Sequence, residues 1–198
     1  TRRPHRVGLV CLSPKADGGA PRLLLDDFAE ATRAYERHYG QGEDGLVLFE
    51  LARPEDAAGA DAIVVALATD GSDISAETAS GLQRIAGAAR PGTRVYALVS
   101  FGPYEPGQMR GAAGSLEVWC QERGLAWSGA VAVASGGALA ALWSSARLGW
   151  LRRPTSEATD ALILALRSGK ETGCILVRQR MARLMQRLIA RQANGHRD

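Results

Sequence analysis

Residues 94–105 read Arg94-Val95-Tyr96-Ala97-Leu98-Val99-Ser100-Phe101-Gly102-Pro103-Tyr104-Glu105. The first eight form an apolar run that predicts a buried strand, and Gly102-Pro103 end it abruptly. A helix pattern follows over 108–123. A strand that stops in a glycine-proline turn carrying aromatics and a carboxylate, then passes into a helix, is the repeating unit of an open parallel sheet. Ligands of such sheets sit in the crevice outside the carboxyl ends of the strands. The loop at 101–105 is therefore a candidate ligand wall.

Working outward, the same unit recurs. A strand over 6–12 leads through Ser13-Pro14-Lys15-Ala16-Asp17-Gly18-Gly19-Ala20 into a helix over 21–38. In that helix Leu23, Leu24, Phe28, Ala31 and Tyr35 recur at helical spacing. A second strand is expected over 45–51 and a short turn or helix over 54–59. The continuous apolar run 61–67 has the pattern of a strand buried on both faces. The loop 68–75 follows, with Ser75 placed to cap a helix that runs to about 89 and Glu77 in its first turn. Downstream come a small-residue strand over 127–135, a helix from Gly136-Gly137 to about 145 and a helix over 155–168. The chain finishes with a short run over 174–177 and a helix from about 179 to 192. Strands alternating with helices predict right-handed crossovers and an α/β three-layer sandwich on a five-stranded parallel sheet, order 2-1-3-4-5. One domain over 1–177 is expected, followed by a basic amphipathic helix over 178–198.

Composition narrows the class. The chain has 198 residues, 46% hydrophobic and 23% charged, as ordinary globular domains do. No apolar run is long enough to cross a bilayer. The basic start, Thr1-Arg2-Arg3-Pro4-His5-Arg6, lacks the apolar region and cleavage site of a secretory signal, so a cytoplasmic protein is expected. Lysine occurs only at Lys15 and Lys170 while arginine and alanine abound, as expected of a bacterium with a GC-rich genome. The net charge of +3 is uneven: residues 174–198 carry +5 and the remainder −2. That argues against a nucleic-acid-binding domain and marks one basic segment. In it Met181, Leu184, Met185, Leu188 and Ile189 form an apolar stripe. Docking on the domain or on a partner subunit is favoured over a membrane surface or RNA.

Several chemistries find no motif. Cys11, Cys120 and Cys174 are odd in number and lack zinc spacing, so buried reduced thiols are expected. His5, His38 and His196 lie near ends of the chain or of a helix, and no nucleophile elbow occurs. Asp70 and Asp73 do not match a calcium loop, and turn formation explains them, so no metal is assigned. Neither the dinucleotide fingerprint nor the P-loop is present. The first loop suits a phosphate: Gly18 and Gly19 allow close backbone approach, and Ser13 and Lys15 offer donors. The plainer reading of the same residues, an exposed turn between strand and helix, is favoured from spacing alone.

Together these pieces resemble the flavodoxin-like fold and, within it, the NAD(P)H-dependent FMN reductase family. The resemblance covers most of the chain. It is carried best by Val95 through Glu105 with Gln108, Trp119-Cys120, Gly124-Leu125 and Gly136-Gly137, and by Ser13-Pro14-Lys15 as part of a phosphate loop. It implies an FMN-dependent oxidoreductase that takes hydride from NAD(P)H and passes electrons to a small-molecule acceptor. It also implies a homodimer with the ring at the subunit interface. Ser13, Lys15, Gly18 and Gly19 would hold the FMN phosphate. Ala68, Thr69, Asp70, Gly71 and Ser72 would flank the ring on one side, and Phe101, Gly102, Pro103, Tyr104 and Glu105 on the other. The chemistry would be borne by the flavin, so no side chain is assigned a catalytic role. The chain departs from the family pattern at Leu12, Ala20, Pro21, Ala68 and Asp70. Those departures ground a second hypothesis: a protein of this fold that has lost flavin and serves as a binding or assembly module.

Overall fold

The computed structural model describes residues 3–13, 19–39, 45–71, 73–102, 104–134, 139, 143 and 145–179. The final helix expected over 179–192 lies outside these residues apart from Gln179. Of the helix expected over 136–145, only Leu139, Trp143 and Ser145 are described.

The chain runs β1 (Arg6–Leu12), α1 (Gly19–Tyr39), β2 (Val47–Glu50), a 3-10 turn (Pro54–Gly59), β3 (Ala62–Thr69), α2 (Ala76–Ala88) and β4 (Arg94–Phe101). It continues α3 (Pro106–Glu122), β5 (Ala126–Val133), α4 (Arg153–Ser168) and β6 (Cys174–Val177). All strand pairs are parallel, in the order β2-β1-β3-β4-β5-β6. The α/β/α sandwich and the order 2-1-3-4-5 are as expected, but the expected count of five strands is corrected to six. Cys174–Val177 pair with Ala130–Val133 and extend the sheet. The left-handed Gly169 ends α4 and the left-handed Gly173 turns the chain into register.

Side chains alternate between the two faces, as strand geometry requires. Val64, Tyr96, Leu98 and Val131 meet Leu24 and Phe28 of α1 and Leu162 of α4. Ile63, Val65, Val95 and Val99 meet Leu82 of α2 and Met109 and Leu116 of α3. The continuous apolar runs in β3 and β4 are thus buried on both sides. Tyr96 is wholly buried, and its hydroxyl donates to the Lys170 carbonyl at 2.9 Å, tying β4 to the chain just before β6.

One connection breaks the handedness expected. The β3–α2–β4 and β4–α3–β5 units step across the sheet in one direction, with their helices on one face. The β5–α4–β6 unit steps in the same direction, yet α4 lies on the opposite face beside α1. It therefore has the opposite hand to its neighbours, an arrangement confined to about 2% of such units. Ionic contacts hold α4 there. The Asp27 Oδ1 of α1 accepts from Arg152 Nη2 at 2.6 Å and from Arg147 Nε at 3.1 Å, and Arg147 also holds Asp160 of α4 at 2.6 Å.

Candidate functional site

In a parallel sheet every strand ends at the same edge. β1 and β3 run in register to Leu12 beside Leu67, and β3 and β4 to Thr69 beside Phe101. The chain therefore leaves β1 at Ser13, β3 at Asp70 and β4 at Gly102, side by side on one edge. The sheet order thus brings together the described parts of the three loops named from the sequence. Lys15, Gly18, Ser72 and Pro103 of that set lie outside the described residues.

Ser13 is half-buried and has a partner of its own. Gly19 opens α1 with φ of 53°, where a side chain would be strained. The first turn of α1 holds no carboxylate. α2 differs: Ser75 Oγ accepts from the Thr78 N–H at 3.2 Å, and Glu77 sits in the first turn. That start is closed by its own side chains, as the sequence indicated.

The loop after β3 is shaped from within. The Thr69 hydroxyl donates to the Asp73 carbonyl at 2.8 Å, with the Gly71 carbonyl at 3.0 Å, and accepts from the Gly71 N–H at 3.3 Å. Thr69 is buried, Ala68 and Gly71 are half-buried, and Asp70 is exposed. A Cβ placed on Gly102 would stand 3.4 Å from Asp70 Oδ1, so the loops after β3 and β4 touch.

Phe101 is 2% exposed, with its ring in the core under α2 and α3, and its backbone is what reaches the edge. Tyr104 is half-buried and packs against the same core. The Arg178 guanidinium carbon lies 5.4 Å from the Tyr104 ring centroid. Glu105 is exposed at the N-cap of α3 and makes no side-chain cap bond. The described ends of the loop after β4 thus lie against Asp70 beyond β3 and Arg178 beyond β6, and the Tyr104 ring sits toward β6. Arg178 was not singled out from the sequence. Its signal was the alternation Cys174, Leu176, Arg178, which places one face of a strand toward α3 once 174–177 is read as a strand.

The three thiols are not activated. Burial pushes the Cys120 thiol up to about 12 and raises Cys11 and Cys174 as well, Cys174 against the pull of Arg110. All three are free and poor nucleophiles at neutral pH. Among the described residues no three of His, Cys, Asp and Glu gather as a metal site, and no helix is long and apolar enough to cross a membrane. Compared with known proteins, the chain matches no family model, no curated protein and no solved structure.

Proposed function

We propose that this chain is an FMN-dependent NAD(P)H oxidoreductase of the flavodoxin-like FMN reductase type, passing electrons to a small-molecule acceptor. The observation that supports it is the in-register ending of β1, β3 and β4 on one edge, with the loops after β3 and β4 in contact beside the start of α1. The residues there fit such a cofactor. A left-handed glycine begins a long helix with no acidic residue in its first turn, which suits a phosphate. Gly102 offers backbone without a side chain between Asp70 and Tyr104.

In this reading Ser13, Lys15, Gly18 and Gly19 hold the phosphate. Residues 68–72 form one wall of the ring site and residues 101–105 the other. Phe101 contributes backbone and Tyr104 the aromatic surface. When bound, FMN supplies the hydride-accepting ring. The protein positions it and excludes water, Thr69 acting by holding its loop in shape. A homodimer completes the site in the same reading.

A second reading, a binding or assembly module that has lost flavin, is favoured by two features. The Thr69 hydroxyl is consumed within its own loop, and Asp70 places a carboxylate beside Gly102.

One titration separates the readings. A ligand that binds only the folded state stabilises it by about 2.7 kcal/mol at a hundred times its Kd. Added FMN is expected to raise the melting temperature, and its fluorescence should be quenched on binding. Tyr104→Ala is expected to weaken FMN about tenfold, roughly 1.4 kcal/mol, without unfolding the protein. No melting shift and no quenching at high micromolar FMN would leave the module reading in its place.

A further inference from the structure

We propose that Arg178, carried by β6 to Tyr104, and Arg110, on α3 beside the same face of β6, form an anion-binding subsite for the phosphate-bearing arm of a nucleotide. That the nucleotide is the electron donor rests on the function proposed above, whereas the subsite itself does not.

Three observations carry the inference. The first is placement. Val177 is buried toward α4, so strand alternation puts Cys174, Leu176 and Arg178 on the opposite face, where Cys174 and Leu176 pack with the α3 core. Arg178 therefore emerges at the strand-end edge, over the Tyr104 ring. The second is the approach of α3. Arg110, one turn into that helix, lies near enough to Cys174 to favour its thiolate. Its guanidinium therefore also works against this face of β6. The third is charge. Arg110 and Arg178 are both exposed, and neither has a carboxylate partner among the described residues, whereas Arg22, Arg90, Arg147, Arg152 and Arg167 each do.

The only acid in the turn between Tyr104 and α3 is Glu105, which points no hydrogen bond at its own helix. The Arg178 guanidinium, with no carboxylate partner among the described residues, leaves a positive spot beside an aromatic ring. Such a spot recognises a phosphate through the planar donor fork of arginine and admits a flat base next to it. The half-buried Tyr104 thus lies between Gly102, which stands beside Asp70, and the Arg178 guanidinium. A dinucleotide lying across Tyr104 would place its reactive ring and its phosphate arm on the two sides.

The test uses adenosine 2′,5′-bisphosphate, which carries the phosphate arm and needs no flavin. Calorimetric titration of the full chain at low salt is expected to show binding, weakened about tenfold by Arg178→Ala and several-fold by Arg110→Ala. Arg33→Ala removes the same charge from the exposed side of α1 and is expected to change nothing. With flavin bound, Arg178→Ala should raise KM for the donor about tenfold, leave kcat within twofold and leave FMN affinity unchanged.

Equal bisphosphate affinity in wild type and both variants, or no binding by wild type, overturns the subsite. Equal weakening by Arg33→Ala overturns it too, because the effect is then general charge. If FMN fails to bind while the bisphosphate still depends on Arg178, the subsite stands and the flavin reading falls. If FMN binds while bisphosphate affinity and KM ignore Arg178, the reverse holds.

Discussion

At Gly129 the backbone adopts φ of 128°, and a Cβ there would fall 2.5 Å from Thr172 Cγ2 and 2.6 Å from the Gly173 carbonyl. The cause is a bulge: Val95 pairs with Trp127 but Tyr96 with Gly129, so Ser128 is the extra residue in β5. The bulge lets the chain before β6 approach β5 closely, and the Ala130 N–H donates to the Gly173 carbonyl at 2.8 Å. Gly129→Ala is expected to cost about 2–4 kcal/mol, from the strained φ and the backbone clash together. Urea unfolding of the variant measures it, and a change below about 0.5 kcal/mol would mean that the β5–β6 junction relaxes freely. A glycine in a small-residue strand is visible in the sequence. What it must admit is not, because Thr172-Gly173 lies more than forty positions away. The same distance hid Arg178: an arginine at the start of the basic segment reads as part of that tail until β6 is known to carry it to Tyr104.

Among the elements, α4 owes its placement to the carboxylate of Asp27. This group is 4% exposed, shares one oxygen between Arg147 and Arg152, and has its other oxygen, Oδ2, buried without a partner. Burial raises its pKa above the ordinary carboxylate range, against the pull of the two arginines. The folded state then holds the proton more firmly than the unfolded chain. The resulting stability is fully present below the unfolded value, about 3.9, and is lost as pH rises through the folded one. Wild type is therefore expected to gain stability relative to Asp27→Asn as the pH falls from 7 toward 4. Paired urea titrations at the two pH values check this. A gain in the opposite direction would show that the arginines outweigh burial. The first strand and α1 through β5 were legible because long apolar runs, helical spacing, the Ser75 cap and the Pro91-Gly92 break all agree. The sixth strand was not. Four residues is a minimal strand, and its seat beside β5 depends on where α4 docks. That choice rests on contacts between residues 120 and 125 positions apart, beyond any local pattern.

For the whole molecule, stability is graded from the middle of the sheet outward. β3 and β4 are paired on both sides and buried on both faces, whereas β2 and β6 are four-residue edge strands whose side chains, Val177 apart, are half-buried or exposed. Local opening follows burial and pairing. Amide protons at Val64, Val65, Leu98 and Val99 are expected to exchange slowest, and those of β2 and β6 among the strands fastest. Hydrogen exchange followed by mass spectrometry reads this directly. Protection in β6 equal to that in β4 would show that the outer edge is covered. The all-parallel arrangement has one more effect. Each of the four helices α1–α4 among the described residues returns the chain from the strand-end edge, so these four begin there, whichever face they occupy. The four peptide dipoles consequently add, each contributing about half a unit charge at its ends. The opposite hand of the last crossover changes the layer of α4 but not its polarity. The molecule thus has an electrical axis along its strands, positive at the edge where Ser13, Asp70, Gly102 and Arg178 emerge. The acidic side chains there, Asp70, Asp73, Glu77 and Glu105, temper that field, and an anion drifting in solution is drawn to this pole before it meets any particular side chain.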